Sequence, residues 1–327
     1  MLEYFYFRKD IMKVIVVIAC LIVAIAAEFN NYQHWVLFKD KYSKHYKITE
    51  DKLRFQIFQD NLRDIKEHNA RYARGEVGWF KGVTPFADWT KEEFKALLTR
   101  QADSRPKLNE SLGVYIADPN VNVPSSVDWR NEGAVLPVRD QGMCGSCWAF
   151  STVGSLEGQV AIHQKQKIPL SPQNLIDCST ENLGCEDGDQ VKAFKYIKSN
   201  GISSEADYPY RANDQECNKN VKKSITSLSG YKHLNPTEED LISAIATVGL
   251  IAVSADASDW PYYAGGIYDD KYCGDHINHA ILATGYTDEY ILIKNSWGAD
   301  WGEDGYMKIA RGKNICHIND DNSYPIL

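Results

Sequence analysis

Polar and apolar positions in the first third of the chain follow a helical period. Six residues recur there at steps of four, four, three, four and four: Glu50, Arg54, Phe58, Asn61, Ile65 and Asn69. Residues three and four apart share one face of a helix, so this spacing predicts a long helix with a continuous stripe, although an ordinary amphipathic helix would share it. Residues 82–88 (GVTPFAD) then predict a turn or short strand, and residues 90–98 (TKEEFKALL) predict a helix with Thr90 as N-cap and Glu93 three residues on.

The pattern changes after Pro124. Three segments there are predicted as helices: 147–163, 170–179 and 191–201. Four later runs are predicted as strands: 250–255, 279–286, 289–297 and 305–311. Because the helices come first and the antiparallel strands later, the pattern predicts an α+β unit of two packed lobes.

An apolar run lies close to the N-terminus. It extends from Val14 to Ala27, follows Lys13 and ends in small residues. It is too short to span a bilayer comfortably and is typical of a secretory signal peptide. We therefore predict that residues 1–27 are a signal peptide with its effective start at Met12, and a membrane anchor is the alternative.

Residues 101–122 separate two parts of the chain that differ in charge. The segment has no apolar period and is predicted as a linker, in which Asn109 begins a glycosylation sequon. Residues 1–122 contain 19 Lys+Arg and 16 Asp+Glu (+3), and residues 123–327 contain 17 and 28 (−11), which together give the net charge of −8. A basic front part could dock on an acidic back part, and the negative total argues against a nucleic-acid partner.

Seven of the eight cysteines lie beyond residue 140. In an oxidising compartment six of these can pair and one keeps its thiol. Cys144 and Cys147 would fit a redox motif, but the alternating α/β pattern of such proteins is missing. A zinc site completed by Cys273, His276 and His279 is disfavoured by the secretory route. The remaining interpretation makes Cys144 half of a disulfide and Cys147 a nucleophile at a helix N-terminus, where a thiolate is stabilised.

The segment 141–148 (QGMCGSCW) resembles the active-site segment of the papain family of cysteine peptidases. His279 lies 132 residues after Cys147 and Asn295 lies 148 residues after it, within the family's spacing of about 130–150 residues. Residues 294–298 (KNSWG) match a further element of that family. The likeness extends to the front of the chain, whose stripe is similar to the ERFNIN propeptide helix of the cathepsin L-like branch. Likewise, GVTPFAD resembles the GxNxFxD element of that branch, with Thr84 in place of Asn, and VDWR (127–130) matches the usual start of the mature enzyme.

The resemblance implies a role for each matching residue. Cys147 is expected to attack the peptide carbonyl, His279 to protonate the leaving amine, and Asn295 to orient the imidazole. Gln141 is expected to donate to the oxyanion together with the Cys147 backbone N–H. Trp297 is expected to cover the His279–Asn295 contact from water, which strengthens that contact.

The resemblance also implies a disulfide pattern and a substrate-binding wall. Six cysteines allow fifteen pairings, and the family pattern implies three of them: Cys144–Cys185, Cys178–Cys217 and Cys273–Cys316. In the segment GCEDGDQ (184–190) the backbone of Gly188 is expected to pair with substrate, while Asp187 replaces a glycine of the family. Asp189 and Asp321 fall at positions that line the S2 pocket, so we expect that pocket to be acidic and to accept Arg or Lys.

The organisation that follows is a signal peptide, an inhibitory propeptide domain (28–100), a linker (101–122) and a peptidase domain (123–327). The fold class expected is α+β, with a helical left lobe and an antiparallel β-barrel-like right lobe behind a helical inhibitory prodomain. The function expected is a cysteine endopeptidase, inactive as a precursor and activated by propeptide removal at a pH of roughly 4–5, where carboxylates are protonated.

No metal or cofactor is expected, and the expected partners are protein or peptide substrates and the chain's own propeptide. The mature form is expected to have no membrane span and to be a monomer by default. The secretory route leads to the lysosome or to the outside of the cell, including a digestive setting. Two alternatives remain open: a non-catalytic papain-like homologue that acts as a binding or inhibitor protein, and a redox protein. His276 is the nearest rival of His279 as the base.

Overall fold

The computed structural model describes residues 30–98, 111–225, 227–270, 273–274 and 276–327. The predicted signal peptide, the first part of the predicted linker (101–110) and the sequon residue Asn109 lie outside the described residues. The chain divides into two compact units. In the described part, the first unit consists of residues 30–64 with 87–89, and the second is formed from residues 65–86 and 90–327.

The first unit is built around aromatic side chains. Residues 30–41 form helix α1, and Ile48–Ala73 form helix α2, whose residues up to Asp64 belong to this unit. Five buried side chains make up its core: Trp35, Phe38, Phe58, Leu62 and Ala87. The ring centroids of Phe38 and Phe58 are 4.9 Å apart, a separation at which aromatic pairs stabilise beyond the area they bury.

Polar residues of the predicted stripe bind backbone groups. Arg54 Nη1 and Asn61 Nδ2 donate to backbone carbonyls of the segment 87–89 over 2.9–3.1 Å. Within the second unit, the Asn69 side chain and the Lys81 backbone exchange two hydrogen bonds, each 2.8 Å long. An ordinary amphipathic helix would not need these side chains, so the stripe has a specific structural role.

The second unit contains most of the helices and strands. Its described elements are, in chain order, the C-terminal end of α2, β1 (Trp79–Lys81), α3 (Lys91–Leu97), β2 (Val114–Tyr115), β3 (Val127–Asp128), α4 (Cys147–Gln164), α5 (Pro172–Cys178), α6 (Gln190–Asn200), β4 (Gly230–Leu234), α7 (Glu238–Thr247), β5 (Ile251–Ala255), β6 (Tyr263–Tyr268), β7 (His279–Tyr286), β8 (Tyr290–Lys294), β9 (Tyr306–Ala310), a 3-10 turn (Ile315–His317) and β10 (Ser323–Ile326). None of the described helices is long and apolar enough to cross a membrane.

The described strands pair in the order β1-β6-β9-β8-β7-β5-β10-β4-β2, and β3 pairs with β7 off this path. Most neighbouring strands run antiparallel, as the sequence predicts, whereas β6 with β9 and β2 with β4 run parallel. Strand β7 is buried along its whole length, because it has neighbours on both edges and α4 packs beside it. The sheet therefore holds the first residue of β7, His279, in a rigid position.

Helix α4 is buried from Cys147 to Val160 and packs against β7. Ser151 Oγ donates to the backbone carbonyl of Ile281 over 2.6 Å. At Gly154, an added Cβ would lie 2.9 Å from Leu282 Cδ2, so a larger residue here would require the end of the leucine side chain to shift. Later residues of the helix meet later residues of the strand, so the two elements run in the same direction.

The helix predictions over 147–163, 170–179 and 191–201 are confirmed by α4, α5 and α6. The capping box at Thr90 and Glu93 is also confirmed. The strand predicted over 289–297 ends earlier, at Lys294. The Asn295 backbone N–H still donates to the Gly305 carbonyl opposite it, but the Gly305 N–H donates to the Trp301 carbonyl, so the reciprocal ladder bond is not formed. The sequence reading missed β4, α7, β6 and β10.

Candidate active site

Cys147 is the first residue of α4 and is completely buried. Among the described cysteines it keeps its thiol. The loop before it is fixed on both sides, because Cys144 is bonded to Cys185 and the Gly145 backbone N–H donates to the Cys185 carbonyl over 2.8 Å. A sulfur at the positive end of an 18-residue helix lies where a thiolate is stabilised.

His279 and Asn295 form a buried pair. His279 Nε2 lies 2.8 Å from Asn295 Oδ1. Because that oxygen can only accept, Nε2 carries the proton and the imidazole presents Nδ1 on its other side. Trp297 stacks on His279 with ring centroids 4.6 Å apart and planes 21° apart. The pair thus has a fixed tautomer and is covered from water by an indole ring.

The register of α4 against β7 places Cys147 and His279 at the same end of the two elements. Ser151, which contacts Ile281, lies one helical turn after Cys147. Ile281 lies two residues after His279 on a strand that runs in the same direction as the helix. The proposed nucleophile and base therefore both begin their elements at one end of the helix–strand contact. The rival base His276 is exposed, in the loop before β7.

Gln141 is fully buried and its side-chain amide is held in one orientation. Its Nε2 donates to the Cys144 carbonyl over 2.9 Å, and its Oε1 accepts from Ser296 Oγ over 2.7 Å. A flipped amide would set two oxygens against each other at Cys144. Since the NH₂ group carries two hydrogens, the second can point at a developing oxyanion.

Tyr210 supports the same loop. Its hydroxyl donates to the Gln141 backbone carbonyl over 2.7 Å and lies 2.7 Å from Ser146 Oγ. Burial raises the pKa of Tyr210 well above its ordinary value, so this group stays a neutral donor. The residues just before Cys147 are consequently held by hydrogen bonds from a second part of the chain.

A buried ionic cluster lies beside Asn295. Glu157, on α4, accepts from Arg139 Nη2 and from the Leu170 backbone N–H, both over 2.8 Å. Lys294 Nζ donates to the Leu136 carbonyl over 2.7 Å, and burial lowers the pKa of Lys294 to about 8. Sequence reasoning missed this cluster, although a lysine in the apolar run YILIK is an unusual residue to bury.

The four residues predicted for the substrate-binding wall differ in their surroundings. At Gly188 an added Cβ would lie 2.4 Å from the Trp148 ring, so no other residue fits. Asp187 Oδ1 accepts from the Gly188 backbone N–H over 2.7 Å. Asp189 is buried and caps α6, with Oδ1 accepting from two backbone N–H groups of the first turn at 2.8 and 3.1 Å. Part of its hydrogen-bonding capacity therefore serves the helix.

Asp321 ends a chain of polar contacts. Gln190 Nε2 lies 3.2 Å from Ser254 Oγ, which in turn lies 3.4 Å from Asp321 Oδ2. His233 lies among the carboxylates of Asp321 and Asp189, which favour its protonation, but burial outweighs them and the pKa of His233 is lowered. The sequence does not point to Gln190 or Ser254, because the hydrogen-bond partner of each is distant in the chain.

The structure contains three disulfides among the described cysteines, the same pairs that the resemblance implies: Cys144–Cys185, Cys178–Cys217 and Cys273–Cys316. Cys273 is thus bonded to another cysteine and cannot also serve as a thiolate ligand of zinc. The third bridge joins the loop before β7 to the turn before β10.

Residues of the predicted propeptide that belong to the second unit pack on Trp297. The rings of Phe86 and Phe94 contact it edge-on, with centroids 5.4 and 5.3 Å away. Thr84, which stands where the family has Asn, donates from Oγ1 to the Pro261 carbonyl over 2.6 Å. Strand β1 adds to the edge of β6. The segment around GVTPFAD is thereby fixed next to the indole that covers His279.

Comparison with known proteins identifies the family. Residues 123–326 match the model described as papain family cysteine protease, and residues 35–94 match the cathepsin propeptide inhibitor domain (I29). The chain belongs to the papain family of cysteine proteases. It is 45% identical to a cathepsin L-like proteinase of Phaedon cochleariae, over 97% of this chain and 100% of that protein. It is 38% identical to procathepsin L of Rattus norvegicus, over 90% and 91% of the two chains.

Solved structures agree with this membership. Digestive procathepsin L 3 of the Tenebrio molitor larval midgut is 40% identical and has a TM-score of 0.84, over 91% of this chain and 99% of that chain. The expected fold class, a papain-like α+β fold with a prodomain, is confirmed. The protein is a cathepsin L-like cysteine protease with a propeptide, and hence a zymogen.

Proposed function

We propose that this protease is an endopeptidase that cleaves peptide bonds with Cys147, His279 and Asn295. The observation that carries the proposal is the buried His279–Asn295 hydrogen bond, covered by Trp297, at the end of β7 where α4 begins with Cys147. A neutral histidine with a fixed tautomer beside a thiol can take the thiol proton and later return it.

The reaction proceeds in two halves. The Cys147 sulfur attacks the carbonyl carbon, and the negative charge moves to the carbonyl oxygen, where the Gln141 amide and the Cys147 backbone N–H stabilise it. The carbon–nitrogen bond then breaks as His279 gives its proton to the leaving amine, which leaves a thioester on Cys147. Water attacks the thioester while His279 accepts a proton, the carbon–sulfur bond breaks, and the acid product departs.

The endopeptidase proposal is tested with the processed enzyme and a long, internally quenched peptide. We expect cleavage within the peptide, its loss when Cys147 is replaced by Ala, and a roughly 10²-fold lower kcat for Asn295→Ala. A matched change of the exposed Asn131 to Ala should leave kcat unchanged. Release of single residues or dipeptides from one end only would exclude an endopeptidase.

The S2 pocket is proposed to be acidic, with Asp321 as the selecting residue. Asp321 is half-buried and ends the polar chain from Gln190 and Ser254, which supports a polar pocket floor. Asp189 contributes less, because its carboxylate caps α6. A basic side chain at P2 would gain a charge-assisted hydrogen bond from Asp321.

A panel of fluorogenic dipeptides that differ only at P2 tests this pocket. We expect Arg to be cleaved at least as well as Leu, and Asp321→Ala to lower the Arg/Leu ratio of kcat/KM by roughly tenfold. Asp320→Ala is the matched control, since Asp320 instead contacts His317 and Asn314. A strict preference of the unmodified enzyme for Leu or Phe at P2 would contradict the proposal of an acidic S2 pocket.

Acid activation is proposed to act through carboxylates of the peptidase domain that face propeptide lysines. Burial raises the pKa of Asp259, Asp270 raises it further, and Lys91 and Lys81 of the propeptide lower it. Asp259 therefore becomes neutral at a higher pH than an ordinary aspartate. Its attraction for the two lysines is then lost on acidification.

The cellular route is proposed to be secretory, towards a lysosome or the outside of the cell. The apolar run at residues 14–27 and the three disulfides support this route. A digestive role is one form of it, as in the larval midgut procathepsin of Tenebrio molitor. Expression of the whole chain in an insect cell line should give a product without residues 1–27, and retention of the apolar run would contradict the route.

A further inference from the structure

The segment just before the peptidase domain lies on an edge of the sheet. Strand β2 pairs in parallel with β4, with Val114 opposite His233 and Tyr115 opposite Leu234. The Leu112 backbone N–H donates to the Tyr231 carbonyl, and the Tyr115 carbonyl accepts from the Asn235 backbone N–H, both over 3.0 Å. The other edge of β4 pairs with β10, so β2 is the outermost described strand on this side.

Side chains of the peptidase domain recognise the same segment. Tyr115 Oη lies 2.9 Å from both Ser243 Oγ and Thr247 Oγ1, which are one turn apart on α7. The Ala117 backbone N–H donates to Asp240 Oδ1 over 2.6 Å. The Tyr115 ring also meets the edge of Tyr324, with centroids 6.1 Å apart.

The apolar end of the segment has its own contact. The Leu112 side chain lies against Gly230, where an added Cβ would come within 2.6 Å of Leu112 Cδ1. The features recognised are thus an extended backbone, an apolar side chain, and an aromatic hydroxyl three residues later. We call β4 together with Asp240, Ser243 and Thr247 the edge site.

We propose that, once the propeptide has been removed, the edge site binds an extended segment of the protein substrate parallel to β4. This rests on the proposed function, in which the chain before about residue 123 is cut away. An uncovered strand edge offers a row of backbone donors and acceptors, and added strands are a recurrent mode of peptide recognition. The side-chain contacts of Tyr115 and Leu112 give this edge a sequence preference.

The start of the peptidase domain does not fill the site. Residues Val127–Asp128 pair with β7, and Tyr286 Oη donates to the Pro124 carbonyl over 2.7 Å. These contacts hold the new N-terminus away from β4. Residues 112–117, by contrast, would become a separate peptide after cleavage and would dilute away.

A substrate has an advantage that the excised segment lacks. Strands β4, β10, β5 and β7 are successive neighbours, so β4 lies three strand spacings, or about 14 Å, from the strand that begins with His279. A chain already held near Cys147 presents its other segments at an effective concentration in the mM range. A weak edge contact therefore suffices to lower the KM of a long substrate.

Binding is measured first, with the processed enzyme blocked at Cys147 by an epoxide inhibitor. The probe is the fluorescent peptide SLGVYIADPN, the sequence of residues 111–120. We expect saturable binding, weakened roughly 3–10-fold when Tyr115 of the peptide is replaced by Phe, and weakened similarly by Pro in place of Ala117. The unprocessed Cys147→Ala zymogen, whose edge site is covered, should not bind the probe.

Catalysis is measured second, with a short fluorogenic substrate joined through a flexible linker to the same ten residues. We expect a lower KM than for a fusion with the scrambled sequence, at unchanged kcat. The Ser243→Ala, Thr247→Ala double variant should lose this gain while it cleaves the short substrate normally. If that variant fails to fold, the Tyr115→Phe fusion makes the same comparison on the unmodified enzyme.

The outcomes separate the two proposals. The edge site alone is overturned if the enzyme cleaves the short substrate and one of three results is found. The processed enzyme does not bind the probe, the zymogen binds the probe as tightly as the processed enzyme does, or the fusion substrate has no lower KM than the scrambled fusion. An enzyme that does not cleave the short substrate overturns the proposed function, whatever the probe does.

Discussion

Ser296 links the proposed oxyanion donor to the proposed catalytic pair. Its hydroxyl donates to Gln141 Oε1 over 2.7 Å, and its backbone N–H donates to Asn295 Oδ1 over 2.8 Å. The Gln141 backbone N–H in turn donates to the Ser296 carbonyl over 2.8 Å. One residue therefore positions a side chain from the loop before α4 and another from the end of β8.

Replacing Ser296 by Ala should lower kcat more than it affects KM. The Gln141 amide would lose the bond that orients it, which is worth about 0.5–1.5 kcal/mol, or roughly 3–10-fold in rate. Gln141→Ala should cost roughly 10²–10³-fold, because it removes the donor itself. In that background Ser296→Ala should have little further effect, and an equal loss in both backgrounds would show that Ser296 does not act through Gln141.

At the scale of elements, α4 depends on a buried ion pair as well as on apolar packing. Glu157 is 2% exposed and binds both Arg139 and the Leu170 backbone. Removing Glu157 breaks two charge-assisted hydrogen bonds: the buried Leu170 N–H loses its acceptor, and Arg139 is left with the more distant Glu205 carboxylate, 3.8 Å away.

Glu157→Ala should lower the free energy of unfolding by roughly 3–5 kcal/mol, measured by urea denaturation of the Cys147→Ala zymogen. Glu76→Ala is the matched control, because Glu76 pairs with Arg74 at the surface, where solvent screens the attraction and the pair stabilises little. A similar decrease in the free energy of unfolding for the two variants would contradict the claim that the Glu157–Arg139 pair stabilises α4 more than a surface pair does.

Helix α3 is the propeptide element that meets Trp297. Phe94 is 2% exposed, and its ring contacts the rings of both Phe86 and Trp297. Phe94→Ala should leave a cavity that costs about 3–5 kcal/mol and so weaken the hold of the propeptide. We expect Cys147 in the unprocessed zymogen to react with a thiol inhibitor at least tenfold faster at neutral pH. Glu92→Ala, at an exposed position of the same helix, should leave that rate unchanged.

Elements with local signals could be predicted, and elements defined by distant partners could not. Thr90 and Glu93 predict the start of α3, and Ser171 with Pro172 predicts the start of α5. Both can be read from the sequence because the hydrogen bonds of a helix cap join residues within four positions of each other. Thr237 is a similar local signal for α7, because its side chain caps the helix by accepting from the Asp240 backbone N–H three residues later. The parallel pairing of β6 with β9 joins segments about forty residues apart and leaves no local pattern.

The same distinction holds for the candidate site. Cys147, His279 and Asn295 stand in recognisable motifs, so the sequence could name them. Lys294 could not be interpreted, because its partner, the Leu136 carbonyl, lies 158 residues away. The capping role of Asp189 could have been read from its place before α6, and it limits what that carboxylate can do in the S2 pocket.

At the scale of the whole molecule, residues 1–122 carry a net charge of +3 and residues 123–327 one of −11. One group of oppositely charged side chains in the structure corresponds to this division. Asp259 of the peptidase domain interacts with Lys81 and Lys91 of the propeptide. Burial and Asp270 raise the pKa of Asp259, whereas Lys91 and Lys81 lower it by favouring the charged carboxylate. This attraction between the carboxylate and the two lysines stabilises propeptide binding while Asp259 is charged and is lost when Asp259 is protonated.

Asp259→Asn should therefore speed self-processing at pH 6–7, and the effect should be smaller at about pH 4, because the native carboxylate takes up a proton as the pH falls. The rate of conversion of the full chain, followed on denaturing gels, measures this. Asp288→Asn, in the exposed turn between β7 and β8, is the control. A variant that accelerates equally at both pH values would exclude Asp259 as part of the acid response.

The most direct test of the account is to identify the nucleophile. Residues 28–327 are expressed, acidified to about pH 4.5 with a thiol reductant, treated with an epoxide inhibitor, and mapped by mass spectrometry. We predict one adduct on Cys147, in proportion to the loss of peptidase activity. An adduct on Cys144, or full activity without any adduct, would contradict the assignment of Cys147 as the catalytic thiol.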